Sequence, residues 1–303
     1  MFQTPILFLV FNRLNTTKQV FAKIREVKPS QLFVASDGPR TQLPDEKDKI
    51  EEIRQFILAN IDWECELNTL FRDSNLGCGL AVSSAIDWFF EHVEQGIILE
   101  DDTLPENSFF TYCELLLNYY KEDTRVGLIS GNNFNLVKDT TYSYLYTKYV
   151  SIWGWATWRR AWKLYDFKLQ LLKQQPEMIE DLLKNKFCQS EYSQRKVLFD
   201  NIINSKMDTW DYQWFFCCLV HHLLTIIPTT NLISNIGFNK DATHTIQSNI
   251  FANLPTNELK FPLKHPPFCL VSERYEEILN ASYRNENEQS SLLYKWSKKL
   301  KTW

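Results

Sequence analysis

The segment Gly96-Ile97-Ile98-Leu99-Glu100-Asp101-Asp102 runs apolar residues straight into three acids. A buried strand that ends in adjacent carboxylates must solvate them, pair them or give them a cation. Hard divalent ions such as Mg²⁺ or Mn²⁺ take oxygen ligands, commonly one or two carboxylates plus substrate phosphates. The competing reading is an N-cap acid before a helix near Pro105, and three consecutive acids favour the cation. Downstream, Thr209-Trp210-Asp211-Tyr212-Gln213-Trp214 places a carboxylate among aromatic rings. Asp208 or Asp211 could cap the following helix, and Asp208 is the better cap. That leaves Asp211 one turn inside, where a carboxylate among aromatics needs a reason. In Trp153-Gly154-Trp155-Ala156-Thr157-Trp158-Arg159-Arg160, the glycine lets backbone approach a ligand and the indoles can stack on sugar faces. His244 lies in Asp241-Ala242-Thr243-His244-Thr245, and a lone histidine is by itself more often structural.

The elements that must hold these groups follow from periodicity. Ile6 to Phe11, Leu32 to Ala35, Leu67 to Phe71, Ile97 to Leu99 and Val126 to Ile129 read as strands. Between them, Val20/Ile24/Val27, Ile50/Ile53/Ile57 and Val82/Ile86/Phe89/Val93 recur at helical spacing, which predicts βαβ units. Four strand ends then offer Asn12/Arg13, Asp37, Arg72/Asn75 and Asp101/Asp102, and open α/β sheets bind ligands beyond such ends. After residue 140 comes an aromatic stretch, Tyr142 to Trp162. Residues 166–206 read as two polar amphipathic helices, Asp208 to Leu224 as a buried helix and Thr225 to Ile233 as a strand broken by Pro228. The expected organisation is a binding half over 1–135, a catalytic and acceptor half over 136–272, and a polar segment with a basic tail over 273–303.

The chain's 303 residues suffice for a sizeable core, and 44% hydrophobic against 23% charged residues fits a folded protein. A net charge of −4 argues against nucleic acid as a partner. Seven cysteines without a CxxC pair suit reduced thiols rather than a disulfide frame or a zinc site. The apolar run Met1 to Phe11 stops at Asn12-Arg13, too soon for a signal peptide or a span, so a cytoplasmic location is expected.

Ile6–Arg13, Ser36-Asp37-Gly38-Pro39-Arg40, Phe71-Arg72 through Asn75-Leu76-Gly77, and Leu99-Glu100-Asp101-Asp102 come in an order that resembles the GT-A glycosyltransferases. The likeness is to bacterial family 2-like proteins and to N-acetylglucosaminyltransferases whose "DxD" motif is an acidic triplet. It is clearest over residues 5–135 and looser as far as His244. The resemblance implies a Rossmann-like mixed sheet flanked by helices, with a C-terminal acceptor-side region. It implies transfer of a sugar from a nucleotide diphosphate, expected to be a UDP-sugar, to a hydroxyl of a glycan or lipid-linked glycan. Asp37 would bind base or ribose, Asn12 and Arg13 would line that pocket, and Arg72 and Asn75 would border nucleotide and sugar. Asp101 would touch ribose or sugar, Asp102 and His244 would hold Mn²⁺ or Mg²⁺, and Asp211 would be the base of an inverting reaction. Trp153, Gly154, Trp155, Gln213 and Trp214 would line sugar or acceptor. The acids that follow the tryptophan run in galactosyltransferases are missing here, so the donor sugar does not carry over.

Three rivals stay open. A dehalogenase-type phosphatase needs Asp where Glu100 stands, and a nucleotidyltransferase usually opens with a glycine-rich loop that Phe11-Asn12-Arg13-Leu14 lacks. The third is a non-catalytic carbohydrate-binding protein. In the tail, Leu293, Trp296, Leu300 and Trp303 recur at helical spacing among lysines, which predicts either a docking helix or a peripheral contact with an anionic membrane.

Overall fold

The computed structural model describes residues 2–137, 140–238 and 250–283. His244 and the basic tail lie outside the described residues. From the start, β1 (Ile6–Val10), α1 (Leu14–Val27), β2 (Gln31–Ser36), α2 (Glu46–Ala59), β3 (Glu66–Phe71), α3 (Cys78–His92) and β4 (Gln95–Glu100) alternate. β1 and the interiors of β2 and β4 are covered on both faces, so they appear in sequence as unbroken apolar runs. The later elements are β5 (Thr103–Pro105), α4 (Ser108–Tyr119), β6 (Val126–Ser130), β7 (Tyr144–Thr147), β8 (Trp155–Trp158) and α5 (Arg159–Trp162). They continue as α6 (Gln170–Lys173), α7 (Pro176–Lys186), α8 (Gln189–Ile203), α9 (Asp211–Val220), β9 (Leu224–Pro228) and β10 (Ile233–Asn235).

Eight strands form one mixed sheet in the order β3-β2-β1-β4-β8-β6-β9-β7. β1 pairs in parallel with β2 (Ile6 against Leu32) and with β4 (Ile6 against Ile97), while β8 runs antiparallel to both β4 and β6. Helices cover both faces. Val20, Ile24, Ile53, Ile57 and Phe109 pack one side, and Ile86, Phe89, Trp162, Leu183 and Trp214 pack the other. The chain therefore has the expected mixed α/β fold. Because β8 sits between β4 and β6, the stretches 1–135 and 136–272 share a single sheet.

Sequence periodicity misses three features. The aromatic stretch contains β7 and β8, each four residues long, and β8 is buried on both faces, so no alternation marks it. The strand expected over Thr225 to Ile233 ends at Pro228, and its last residue begins β10 instead. β10 pairs antiparallel with β5 just beyond the acidic triplet, Asn235 against Thr103. The buried helix is also shorter than expected, Asp211–Val220 rather than Asp208 to Leu224.

Candidate active site

Strands β1, β2, β3, β4, β6 and β9 all run in one direction, so their carboxyl ends line one edge of the sheet, and antiparallel β8 brings its first residues there too. At the centre of this edge β4 delivers the acids. Asp101 is buried; its Oδ2 accepts the Phe11 N–H (3.3 Å) and its Oδ1 takes the Arg13 guanidinium. The same guanidinium reaches Asp102 Oδ2 at 2.9 Å. Thr103 turns the corner, its hydroxyl accepting the Glu100 N–H (2.9 Å) and donating to the Glu100 carbonyl (3.0 Å). The Ile236 N–H then ties the Asp102 carbonyl to the chain after β10 (2.9 Å). Gly237 presses on this corner. A Cβ there would overlap the Asp102 carboxylate and lie 2.7 Å from Arg13 Nη1.

Three carboxylates therefore face a single guanidinium. Burial, and then the neighbouring acids Asp102 and Asp101, hold Glu100 above the ordinary carboxylate range. Asp101 is also raised, by burial first, with Arg13 opposing. Among the described residues no group of three or more His, Cys, Asp or Glu side chains is arranged to hold a metal. Asp102 is the more open of the two acids that meet Arg13, at 15% side-chain exposure against 4% for Asp101. One such carboxylate beside excess negative charge is a donor set that Mg²⁺ or Mn²⁺ accepts when substrate phosphates supply the rest.

The first cavity, about 270 Å³, opens beside the acids and is lined by Arg13, Asp37, Arg72, Asn75, Glu100 and Asp101 among others. Asp37 acts on its own loops. Its carboxylate accepts the Gly38 N–H (2.9 Å), the Leu76 N–H (3.0 Å) and Asn75 Nδ2 (2.9 Å). Burial is the largest influence and raises its pKa despite these donors. Asn75 Nδ2 also reaches the Gly38 carbonyl (2.9 Å), so the loops after β2 and β3 are clamped together. Arg72 donates to Ser84 (2.8 Å). Asn12 is held away from the acids by Glu46 Oε1 (2.8 Å), a buried carboxylate that also takes the Arg40 N–H (2.8 Å). Sequence reasoning missed Glu46 and also Arg54, whose Nη2 reaches the carbonyls of Ser36, Asp37 and Arg72 at 3.3, 3.1 and 2.7 Å. Both sit in a strongly charged helix, where nothing in sequence separates them from solvated neighbours.

Asp208 does not cap α9. Its carboxylate accepts the N–H groups of Cys78 (2.9 Å) and Gly79 (2.8 Å), capping α3 from far along the chain, and it lines the first cavity. Three residues later, Asp211 lines a second cavity of about 450 Å³ together with Trp153, Tyr212, Glu191 and Arg195. The Thr209 hydroxyl donates to Asp211, and the Asp211 charge acts on Glu100 and Cys78 in the first cavity. Gly154 has φ +61°, and a Cβ there would overlap Ile233. Trp155 and Trp214, expected to line sugar, are fully buried instead, within an indole cluster that includes Trp162 and Trp210. The reason is packing: β8 is covered on both faces, so only Trp153, before the strand, stays partly open. Gln213 is also buried, its Nε2 held by the Thr209 carbonyl (2.7 Å).

The fold and this edge define an α/β protein with one cavity at an acidic strand end and a second whose wall includes Asp211, three residues after Asp208 in the wall of the first. No protein-family model matches the sequence, and no curated protein sequence matches it. Among solved structures, the chain is similar to HddC from Yersinia pseudotuberculosis at 7% identity and TM-score 0.31, over 52% of this chain and 78% of that one. It is similar to S. aureus TarS 1-349 at 8% identity and TM-score 0.32, over 56% of this chain and 49% of that one. The inositol-1-phosphate CTP transferase from T. maritima aligns at 9% identity and TM-score 0.33, over 55% and 75% respectively. The chain spans about half the length of TarS 1-349.

Proposed function

We propose that this protein is a glycosyltransferase that moves a sugar from a nucleotide diphosphate to an acceptor hydroxyl. The observation that carries the reading is the pair of cavities flanking one short segment, with Asp208 in the wall of the first and Asp211 in the wall of the second. A group transfer must hold two substrates in one geometry, and direct attack by a hydroxyl gains from a base placed beside it.

The first cavity would take the donor. Arg13 and Arg72 would face the diphosphate, Asp37 and Asn75 would shape the nucleotide pocket by holding the loops that line it, and Arg13 would keep Asp101 and Asp102 in place. Asp102 would hold Mn²⁺ or Mg²⁺, with His244 as the further ligand; the ion supplies charge neutralisation for a leaving diphosphate. The second cavity would take the glycan. Trp153 would offer a ring face to a sugar. Asp211, oriented by Thr209, would accept the proton of a hydroxyl that attacks the anomeric carbon opposite the diphosphate, whose bond to the sugar breaks as the new one forms, a single inverting displacement.

The test is thermal shift of the full chain with nucleoside diphosphates and their sugars, with and without Mn²⁺. A donor at a hundred times its Kd should stabilise by about 2.7 kcal/mol, and Asp102→Asn should remove the Mn²⁺-dependent part of that shift. Stabilisation by nucleotide that is indifferent to Mn²⁺ and EDTA would sink the metal-assisted reading; no stabilisation by any nucleotide would sink the transferase.

A further inference from the structure

Among the described residues no carboxylate pairs with the one arginine in the wall of the second cavity, and we propose that this residue, Arg195, selects an acceptor sugar carrying an anionic group, a carboxylate or a phosphate. The word "acceptor" rests on the transferase reading above; the preference for an anionic sugar in this cavity does not.

Two cations share one aromatic patch here, and their fates differ. Lys148 Nζ lies 4.9 Å from the ring centre of Tyr149 and 5.4 Å from that of Phe187. It is neutralised by Glu276, whose Oε1 also takes the Lys148 N–H and the Thr147 hydroxyl, each at 2.8 Å. Arg195 Cζ lies 5.6 Å from the Tyr149 centre, 5.8 Å from Phe187 and 4.8 Å from Phe215. Among the described residues its guanidinium makes no hydrogen bond and no ion pair, although it lines the cavity. The rings hold the flat cation in place without using its N–H donors. A guanidinium offers five donors in a fixed fork that matches a carboxylate or a phosphate.

Among the described residues, the other charged groups in the cavity wall are two carboxylates, Glu191 and Asp211. Glu191, one helical turn before Arg195, also lines it, but its Oε2 is engaged by the Tyr149 hydroxyl (3.3 Å), which Asn280 holds in turn (2.7 Å). Asp211 and Arg195 both act on the Tyr212 side chain, in opposite senses, so the proposed base and this cation lie within reach of one ring. An acceptor spanning that distance would place its hydroxyl at Asp211 and its anionic group at Arg195. A neutral sugar would leave the guanidinium facing water.

The test uses the full-length protein without donor and three probes: methyl glucuronide, glucose 6-phosphate and methyl glucoside. Binding is read by the fluorescence of the cavity tryptophan and by ligand-observed NMR. A charge-assisted fork should make one or both anionic sugars bind about tenfold tighter than methyl glucoside at low salt. The two anionic arms separate carboxylate from phosphate recognition. Arg195→Gln should erase the preference while the thermal shift produced by nucleoside diphosphate in the first cavity persists. Glu191→Gln, which removes a like charge and leaves the aromatic cradle intact, should raise the preference further. It keeps the proposal testable if Arg195→Gln fails to fold. Equal binding of the three sugars, a preference that survives Arg195→Gln, or no response to Glu191→Gln would each overturn the proposal. Loss of nucleotide binding alone would instead strike the transferase reading.

Discussion

The two cavities are built on opposite plans. In the first, polar groups are spent on one another: Asp37 receives three donors from the loops around it, both oxygens of Asp101 are taken, and Arg54 fixes three strand-end carbonyls. The second is walled by rings, among them Phe134, Tyr149, Trp153 and Phe215, and among the described residues nothing engages the N–H donors of its cation Arg195. A site whose donors and acceptors are satisfied within the protein is held in shape before a ligand arrives, which lowers the ordering cost of binding. A ring-walled site tolerates variation in what stacks on it and relies on a few charged groups for choice. The contrast suits a donor side that binds the invariant part of a reaction and an acceptor side that discriminates.

The strongest way to break this division is at its junction. Asp211→Asn should lower the rate of transfer by about 10²–10⁴-fold, the usual worth of a positioned base. The nucleotide-dependent thermal shift should largely persist, since Asp211 lines the second cavity and reaches the first only through its charge on Glu100 and Cys78. A matched loss of nucleotide binding would mean that the cavities do not divide the work. Retained anomeric configuration in the product would exclude single displacement.

Next in size is the rigidity of the first cavity. Arg54→Met should strand the Arg72 carbonyl and leave those of Ser36 and Asp37 with only the Arg72 N–H and the Ser36 hydroxyl, costing roughly 1–3 kcal/mol of stability. Nucleotide affinity should fall while sugar binding in the second cavity holds. Chemical denaturation, read beside the two binding assays, measures both. Arg54→Lys should rescue only in part, because an ammonium can meet the carbonyls that Nη2 reaches but cannot also donate to the Ser36 hydroxyl as Nε does.

These residues also mark how far the sequence could be read. The β1–β4 half was open to periodicity, because each strand is an apolar run that stops at a polar group, and Arg13, Asp37, Arg72, Asn75 and Asp101 do converge on one cavity. Arg54 was hidden in Glu46–Ala59, where charge is the background. In the second half, β7 and β8 are too short and too evenly buried to show a period. Adjacent indoles gave no sign that Trp153 would border a cavity while Trp155 entered the core. Arg195 lay in a polar helix with nothing local to mark it, since its cradle of Tyr149, Phe187 and Phe215 is assembled from three separate stretches of chain.

Asp208 gives the smallest effect and the finest cut. Local reasoning made it the cap of its own helix, yet its carboxylate serves α3, 130 residues away in sequence, by accepting the Cys78 and Gly79 N–H groups. It thereby staples the wall of the first cavity to the segment that leads into Asp211. Removing a side-chain cap costs about 1 kcal/mol, so Asp208→Ala should lower stability by that amount. Asn keeps an acceptor oxygen but loses the charge favoured at a helix N-terminus, so Asp208→Asn should lose less. The functional consequence should be unequal. Nucleotide affinity should stay within about twofold, because Asp37, Asn75 and Arg54 hold the donor loops without help from Asp208. Transfer should slow by more, because Thr209 and Asp211 follow directly on the freed segment, and a base displaced by about an ångström can cost about a hundredfold. If kcat is unchanged while nucleotide affinity drops, Asp208 belongs to the donor pocket alone. The junction would then have to be sought at Glu100 and Cys78, on which the Asp211 charge already acts.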